Sequence, residues 1–275
     1  CGRPTIFLLL YPIIFYYVIT AKAAVNSSRQ FLQRVTGQNV SFSQVFKHFM
    51  TFARVSVDRF FILKNRLNQF DILISENEIF ELVKKRGCML VTSHLGSFDV
   101  MRVLATYAQD VPIKILLDVK HNAKFFTMLQ SLNPDLAKQI IDSNTPAPKL
   151  ALDLNGLINE GSNVGAMVDR CFPKENYVEL NFLGHPAQFP TSAWQFASVL
   201  KIPVVACFGI YLGKNQYKLE FRLISHNLGA NRKERHQIIQ QAIQEYVQIL
   251  EDFAVKYPYN WFNFYDFWKN ESSCN

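Results

Sequence analysis

The stretch that decides the fold is CMLVTSHLGSFDVMR, residues 88–102. It begins with an apolar run at residues 88–91, which is typical of a short strand buried on both faces of a sheet. Small residues then loosen the chain, and the following apolar residues have the spacing of one helix face: Val100, Val103, Leu104 and Tyr107. The order strand, tight turn, helix predicts an α/β unit. Ligands bind to such sheets where a strand meets its helix.

Two chemically capable side chains, His94 and Asp99, lie at this junction with four residues between them. An imidazole is a useful general base near neutral pH when a carboxylate fixes its tautomer and stabilises the imidazolium. A turn would let Asp99 reach one ring nitrogen while the other faces a substrate. The base could then deprotonate a hydroxyl or amine for direct attack on a thioester. The spacing also fits an ordinary loop histidine followed by Asp99 as a helix N-cap.

The rest of the chain alternates predicted strands and helices. Strands are predicted at residues 113–119, 139–141, 164–168, 178–184, 203–211 and 217–223. Helices are predicted over residues 28–70 with a break at Gly37, and over residues 76–86, 148–160, 191–200 and 232–256. This alternation predicts an α/β fold with a mainly parallel central sheet flanked by helices. Polar side chains would then meet at the carboxyl ends of the strands: His94, Asp99, Lys120, Asp169 and Arg170.

Residues 4–19 carry no charge and are rich in tyrosine at their far end. The run is slightly shorter than the about 20 residues that span a bilayer, and tyrosine favours the membrane interface. We predict a hydrophobic, membrane-anchoring helix in residues 1–27 and one domain in residues 28–275. The alternative is an amphipathic helix packed on the domain.

Composition limits the partners of the protein. Hydrophobic residues make up 49% of the chain and the formal net charge is +7, which suits an anionic membrane surface or an acidic carrier protein. Lysine and arginine are scattered and no nucleic-acid motif is present, so no nucleic-acid partner is predicted. The six histidines form no ligand-spaced pair, so no metal is predicted either.

Several motifs together resemble one enzyme family. The chain resembles the bacterial lipid A biosynthesis (late) acyltransferases, within the lysophospholipid acyltransferase superfamily, and most closely their predicted-acyltransferase branch. The resemblance covers roughly residues 5–268. It rests on SHLG at 93–96 with Asp99 completing H-x4-D, MVDR at 167–170, FLGHPAQFP at 182–190, PVV at 203–205 and PYNWFNFYDFW at 258–268.

The resemblance implies an activity and a set of roles. A fatty acyl group would pass from a thioester on acyl carrier protein or coenzyme A to a hydroxyl or amine of a membrane lipid or glycolipid. The reaction would occur at the cytoplasmic face of the bacterial inner membrane, without a cofactor. His94 would be the general base and Asp99 its orienting partner. Lys120 and Asp169 would bind acceptor or donor phosphate, with Arg170 beside them.

Other interpretations of these residues stay open. Lys120 and Arg170 also fit solvated cations near strand ends. Backbone N–H groups after His94 are candidates for the oxyanion donor. An aminoacyl group such as glycine could be transferred to lipid A instead of a fatty acyl group. The protein could also bind lipid without catalysis, or act as a hydrolase in which the same base activates water.

Overall fold

The computed structural model describes residues 3–75, 78–101, 111–172, 175–229, 231 and 233–268. The strands in these residues are β1 Asp71–Ile74, β2 Met89–Thr92, β3 Ile113–Leu117, β4 Ile140–Asp142, β5 Asn163–Met167, β6 Tyr177–Phe182, β7 His185–Pro190, β8 Val204–Gly213 and β9 Gln216–Ser225. The α-helices are α1 Arg3–Thr20, α2 Lys22–Thr36, α3 Phe42–Leu63, α4 Glu78–Lys85, α5 Ala123–Leu132, α6 Pro134–Ala137, α7 Ala147–Asn159, α8 Ser192–Leu200 and α9 Arg235–Lys256. Short 3-10 helices lie at Leu67–Gln69 and Phe98–Met101.

Seven strands form one sheet in the order β1-β9-β8-β2-β5-β3-β4. Strands β8, β2, β5, β3 and β4 run parallel to one another, while β9 is antiparallel to β8 and pairs in parallel with β1. The predicted α/β fold with a mainly parallel central sheet is confirmed. Because β2 is the middle strand, all four of its residues are buried.

The two faces of β2 belong to different layers of the core. Met89 and Val91 face a cluster formed with helices α7, α8 and α9. Cys88 and Leu90 face the opposite cluster, which includes residues of α3 and α4. Side chains alternate across a strand, so a strand covered on both faces needs apolar residues at every position. This explains the continuous apolar run that begins the deciding stretch.

Helix α3 begins at a capping box. The side chain of Ser41 accepts from the backbone N–H of Gln44, and Gln44 Oε1 accepts from the Ser41 N–H at 2.8 Å. Gly37 ends α2 in the left-handed conformation. The predicted break between two N-terminal helices is therefore confirmed. Segment 1–27 contains α1 and the beginning of α2, and α1 is long and apolar enough, by length and composition alone, to cross a membrane.

Two parts of the structure differ from the sequence expectation. Strands β1 and β7 were not predicted, and β7 contains Pro186 and Pro190. Proline is tolerated there because β6 and β7 form a separate two-stranded hairpin, in which each strand has a free edge. A helix was predicted from Asp99 onward. Phe98–Met101 form a 3-10 helix, and Val103, Leu104 and Tyr107 lie outside the described residues, so the rest of this prediction stays untested.

Candidate active site

Strand register places His94 next to Asp169. β2 and β5 are parallel, and Thr92 is opposite Met167. His94 and Asp169 each lie two residues beyond this pair, so they leave the sheet at the same edge. Nδ1 of His94 lies 2.8 Å from Oδ1 of Asp169, and the backbone N–H of His94 donates to Oδ2 at 3.0 Å. The imidazole is therefore held by its ring and its main chain together.

The charge of Asp169 fixes the tautomer of His94. Asp169 is completely buried, whereas a quarter of the His94 side chain is exposed. Burial alone would raise the pKa of Asp169, but the charge and hydrogen bonds of His94 and the charge of Arg170 lower that pKa to about 2. A carboxylate only accepts hydrogen bonds, so Nδ1 of His94 carries the proton. Nε2 is left as the basic nitrogen.

A second layer of contacts holds Asp169 from the C-terminal segment. The side-chain amide of Asn263 donates to Oδ2 of Asp169 at 3.0 Å. The guanidinium of Arg170 donates from Nε to Oδ1 of Asn263 at 2.6 Å and from Nη2 to the Phe262 carbonyl at 3.0 Å. Three donors therefore converge on one buried carboxylate, and Arg170 is bound to the segment that supplies one of them.

The turn that carries His94 is fastened on both sides. On one side the N–H of Gly96 donates to the Asn260 carbonyl, and the N–H of Phe262 donates to the His94 carbonyl, both at 2.7 Å. On the other side the N–H of Ser97 donates to the Gly209 carbonyl at 2.7 Å. Gly96 has φ +71°, and a Cβ there would lie 2.0 Å from the Gly209 oxygen. Only glycine allows this approach.

These contacts correct one expectation about the oxyanion donor. Gly96 and Ser97 come shortly after His94 in the chain. The backbone N–H groups of both residues already donate to main-chain carbonyls. A donor to a developing oxyanion must be free to point at it. The expectation is therefore wrong for these two groups, because the turn uses them to attach itself to the sheet and to the C-terminal segment.

Asp99 makes a different contact from the one expected. Its carboxylate is almost completely buried and accepts a hydrogen bond from Nε of Arg59 on α3. In the described contacts, Nδ1 of His94 donates to the carboxylate of Asp169, which is the orienting contact that was expected from Asp99. The physical reason is local: the chain enters the 3-10 turn Phe98–Met101, which packs between α3 and β8.

A family model supplies the identity that this geometry alone does not. The model for bacterial lipid A biosynthesis acyltransferases matches residues 38–270. The chain belongs to this family. No curated protein matches it. The suspected family is thus confirmed, and with it transferase chemistry between an acyl donor and a lipid acceptor in general terms.

In this acyltransferase, Lys120 stands apart from the His94–Asp169 pair. It lies exposed in the turn after β3, and β5 separates β3 from β2. Among the described contacts, none joins Lys120 to His94 or Asp169. The neighbouring carboxylate of Asp118 accepts from the His121 N–H at 2.9 Å, and the His121 ring stacks on Phe172. The structure therefore groups His94, Asp169 and Arg170, and places Lys120 at a neighbouring strand end.

Two residues that contact the predicted site residues, Asn263 and Arg59, were not predicted from the sequence. Asn263 lies in the closing segment, residues 258–268, where aromatic residues dominate the pattern and the two asparagines carry no motif. Arg59 lies in the phenylalanine-rich helix α3. It follows Asp58 and is part of no periodic pattern or motif that would indicate a functional role. Among the described residues, no three His, Cys, Asp or Glu side chains lie close enough together to hold a metal ion.

Proposed function

We propose that this acyltransferase transfers a fatty acyl group from a thioester, on acyl carrier protein or coenzyme A, to a hydroxyl or amine of a membrane lipid or glycolipid. The observation that supports it is the hydrogen bond between Nδ1 of His94 and the buried carboxylate of Asp169. This hydrogen bond leaves Nε2 of His94 as the basic nitrogen on a partly exposed ring. The acceptor of an acyl group needs such a base to remove its proton.

The reaction needs no covalent enzyme intermediate. Nε2 of His94 takes the proton of the acceptor hydroxyl, and the oxygen attacks the thioester carbonyl carbon. The tetrahedral intermediate collapses with cleavage of the carbon–sulfur bond, and the departing thiolate takes the proton back from Nε2. The products are an ester and a free thiol. Asp169 stays ionised and stabilises the imidazolium that exists between the two proton transfers.

The remaining predicted residues act around this base. Asp99 holds Arg59, whose side chain is about two-fifths exposed, and so places a cation on α3 near the turn that carries His94. Arg170 keeps the C-terminal segment against Asp169 through Asn263. Lys120 is assigned to donor or acceptor phosphate, for which an exposed ammonium beside the strand ends is suited. We assign the reaction to the cytoplasmic face of the bacterial inner membrane, where thioester donors are available.

The test is mass spectrometry of membrane lipids from cells that produce the intact protein, His94→Ala or His226→Ala. His226 is an exposed loop histidine away from the site and serves as the matched control. We expect a lipid with an added acyl mass in cells with the intact protein and with His226→Ala, and none with His94→Ala.

Three results would overturn the proposal. An added mass that matches an amino acid would assign aminoacyl transfer. An equal yield with His94→Ala would remove His94 as the base. A folded protein that retains lipid and changes no lipid mass would assign binding without catalysis.

A further inference from the structure

The first turn of α1 is clamped to the domain by a buried ion pair. Nε and Nη2 of Arg3 lie 2.5 and 2.7 Å from the two carboxylate oxygens of Asp58 on α3. The Tyr217 hydroxyl on β9 donates to the same carboxylate at 2.8 Å, and Nη2 of Arg3 also donates to the Lys214 carbonyl at 2.6 Å. Asp58 is completely buried. The first turn of the apolar helix is therefore attached to α3 and β9.

The rest of α1 packs antiparallel along α3. Tyr11 accepts a hydrogen bond from Arg54 at 3.2 Å, and Phe15 contacts Phe42 with ring centroids 6.1 Å apart. Thus the partner's number falls along α3 as the position rises along α1. α3 is itself part of the domain, since His48 on its other face bonds to the Trp261 carbonyl at 2.8 Å. The domain consequently lies beside α1 at least from Arg3 to Phe15.

The outer side of this helix pair is apolar and exposed. We call it the docking face, and it comprises exposed side chains of α1 and α3: Leu8, Leu9, Tyr11, Ile13, Phe15, Tyr16, Tyr17, Ile19, Phe42, Phe52 and Phe60. A contiguous apolar surface of this kind marks an interaction site in a folded protein.

The charge around the docking face identifies its occupant. Residues 1–70 contain nine of the 29 basic residues but only one of the 22 acidic ones, Asp58, which is neutralised by Arg3. The remaining chain therefore has a formal net charge of −1. The basic residues are scattered, but Asp58 is the single acidic residue in the part of the chain that carries the docking face. This pattern is complementary to anionic lipid headgroups.

We propose that α1 lies in the plane of one anionic leaflet, held there by the Arg3–Asp58 pair, and does not cross the bilayer. A crossing helix must be surrounded by the hydrocarbon core, about 30 Å thick. The domain beside α1 contains polar loops and strand ends that could not enter that core. This inference deepens the proposed function, because it sets how the site meets a membrane lipid, but it requires no catalysis.

The depth of spin labels on α1 tests the orientation. Leu9, Ile13 and Tyr16 are 56, 57 and 69% exposed and share one face of the helix. Each is replaced by a labelled cysteine in the full chain with Cys1, Cys171 and Cys274 changed to serine, since Cys88 and Cys207 are fully buried. Power saturation on phosphatidylglycerol–phosphatidylcholine vesicles should give one common depth. A depth that changes by about 10 Å between residues 9 and 16 would show a crossing helix and overturn the proposal.

Vesicle flotation tests the occupant. Ile13→Glu should weaken binding to vesicles by about tenfold or more, because one buried aliphatic side chain is lost from the lipid contact. The matched control is Leu152→Glu, at a 73% exposed leucine of α7 outside the docking face, and it should bind like the intact protein. An equal loss of vesicle binding in both variants would overturn the proposal. Binding that does not depend on the phosphatidylglycerol content of the vesicles, or a stable dimer that binds no vesicles, would overturn it too. His94→Ala should bind normally, so failure of catalysis and failure of docking are distinguishable.

The clamp has its own test. Asp58→Asn removes the charge that holds Arg3, whereas Tyr217→Phe removes only a hydroxyl and keeps the ion pair. The label at residue 9 should become more mobile in Asp58→Asn and stay unchanged in Tyr217→Phe. Unchanged mobility in Asp58→Asn would remove the clamp from the proposal.

Discussion

Nδ1 of His94 lies 2.8 Å from Oδ1 of Asp169, although 75 residues separate them in the chain. The pair forms because two adjacent parallel strands end in register. The H-x4-D motif therefore performs two separate tasks in this structure: its histidine is oriented by Asp169, and its aspartate binds Arg59 on α3.

The two carboxylates are expected to differ in mutants. Asp169→Asn keeps the volume of the side chain but removes the charge that stabilises the imidazolium, so kcat should fall by about 10²–10⁴-fold. Asp99→Asn weakens the contact with Arg59 and should lower the free energy of unfolding with a smaller loss of kcat. Single-turnover rates of the two purified variants, compared with their urea unfolding midpoints, measure both effects. If Asp99→Asn lost more kcat than Asp169→Asn, Asp99 would be the orienting residue.

Asn263 should act on the site through Asp169. Asn263→Ala leaves Oδ2 of Asp169 with one donor fewer and releases Arg170, which should cost about 1–3 kcal/mol of stability and lower kcat. Asn260→Ala is the matched control in the same segment. Its side chain bonds only to the main chain of Tyr211 in the described contacts, so its loss should lower stability without a comparable loss of kcat per folded molecule. Equal kcat losses in the two variants would assign Asn263 a purely structural role.

Most of the fold could be predicted from the sequence because the signals for its strands and helices were local. The apolar run before His94 and the break at Gly37 each depend on a few adjacent residues. Strand β7 was missed because its two prolines oppose a strand assignment, and only its position in an isolated hairpin permits them.

The site was only half predictable for a related reason. His94, Asp169 and Arg170 were placed at strand ends correctly, because parallel strands bring their carboxyl ends to one edge. Which carboxylate reaches the imidazole depends on strand order and register, and these are long-range properties. The contact between Asn263 and Asp169 spans 94 residues and has no local pattern at all.

Gly96 should tolerate replacement by alanine much less well than Gly184, which also has a positive φ. Gly96→Ala adds a Cβ 2.0 Å from the Gly209 oxygen and forces a positive φ on alanine, so we expect a loss of about 2–5 kcal/mol in stability. Gly184→Ala is the control, since it has φ +77° but no atom within 4 Å of the added Cβ, and it should lose about 1 kcal/mol. Urea unfolding of both variants gives the comparison. Similar losses of stability in the two variants would mean that the close approach of Gly96 to Gly209 does not add to the cost of the substitution.

His48 should make the stability of the protein depend on pH. Burial lowers the pKa of His48 from 6.5 to about 4, and the neutral ring is bonded to Ser28 and to the Trp261 carbonyl. The unfolded chain binds a proton below pH 6.5 while the folded chain does not, so this stability is complete above pH 6.5 and is lost as the pH falls towards 4. The total is about 3 kcal/mol. Asp169, with its pKa lowered to about 2, loses its own contribution only below its ordinary value of 3.8, so the two windows are separate.

His48→Gln should be less stable than the intact protein at pH 7 but should show a flatter decline between pH 6.5 and 4, measured by urea unfolding. His226→Gln, at an exposed histidine, should keep the original slope. An unchanged slope in His48→Gln would show that another group controls the acid response.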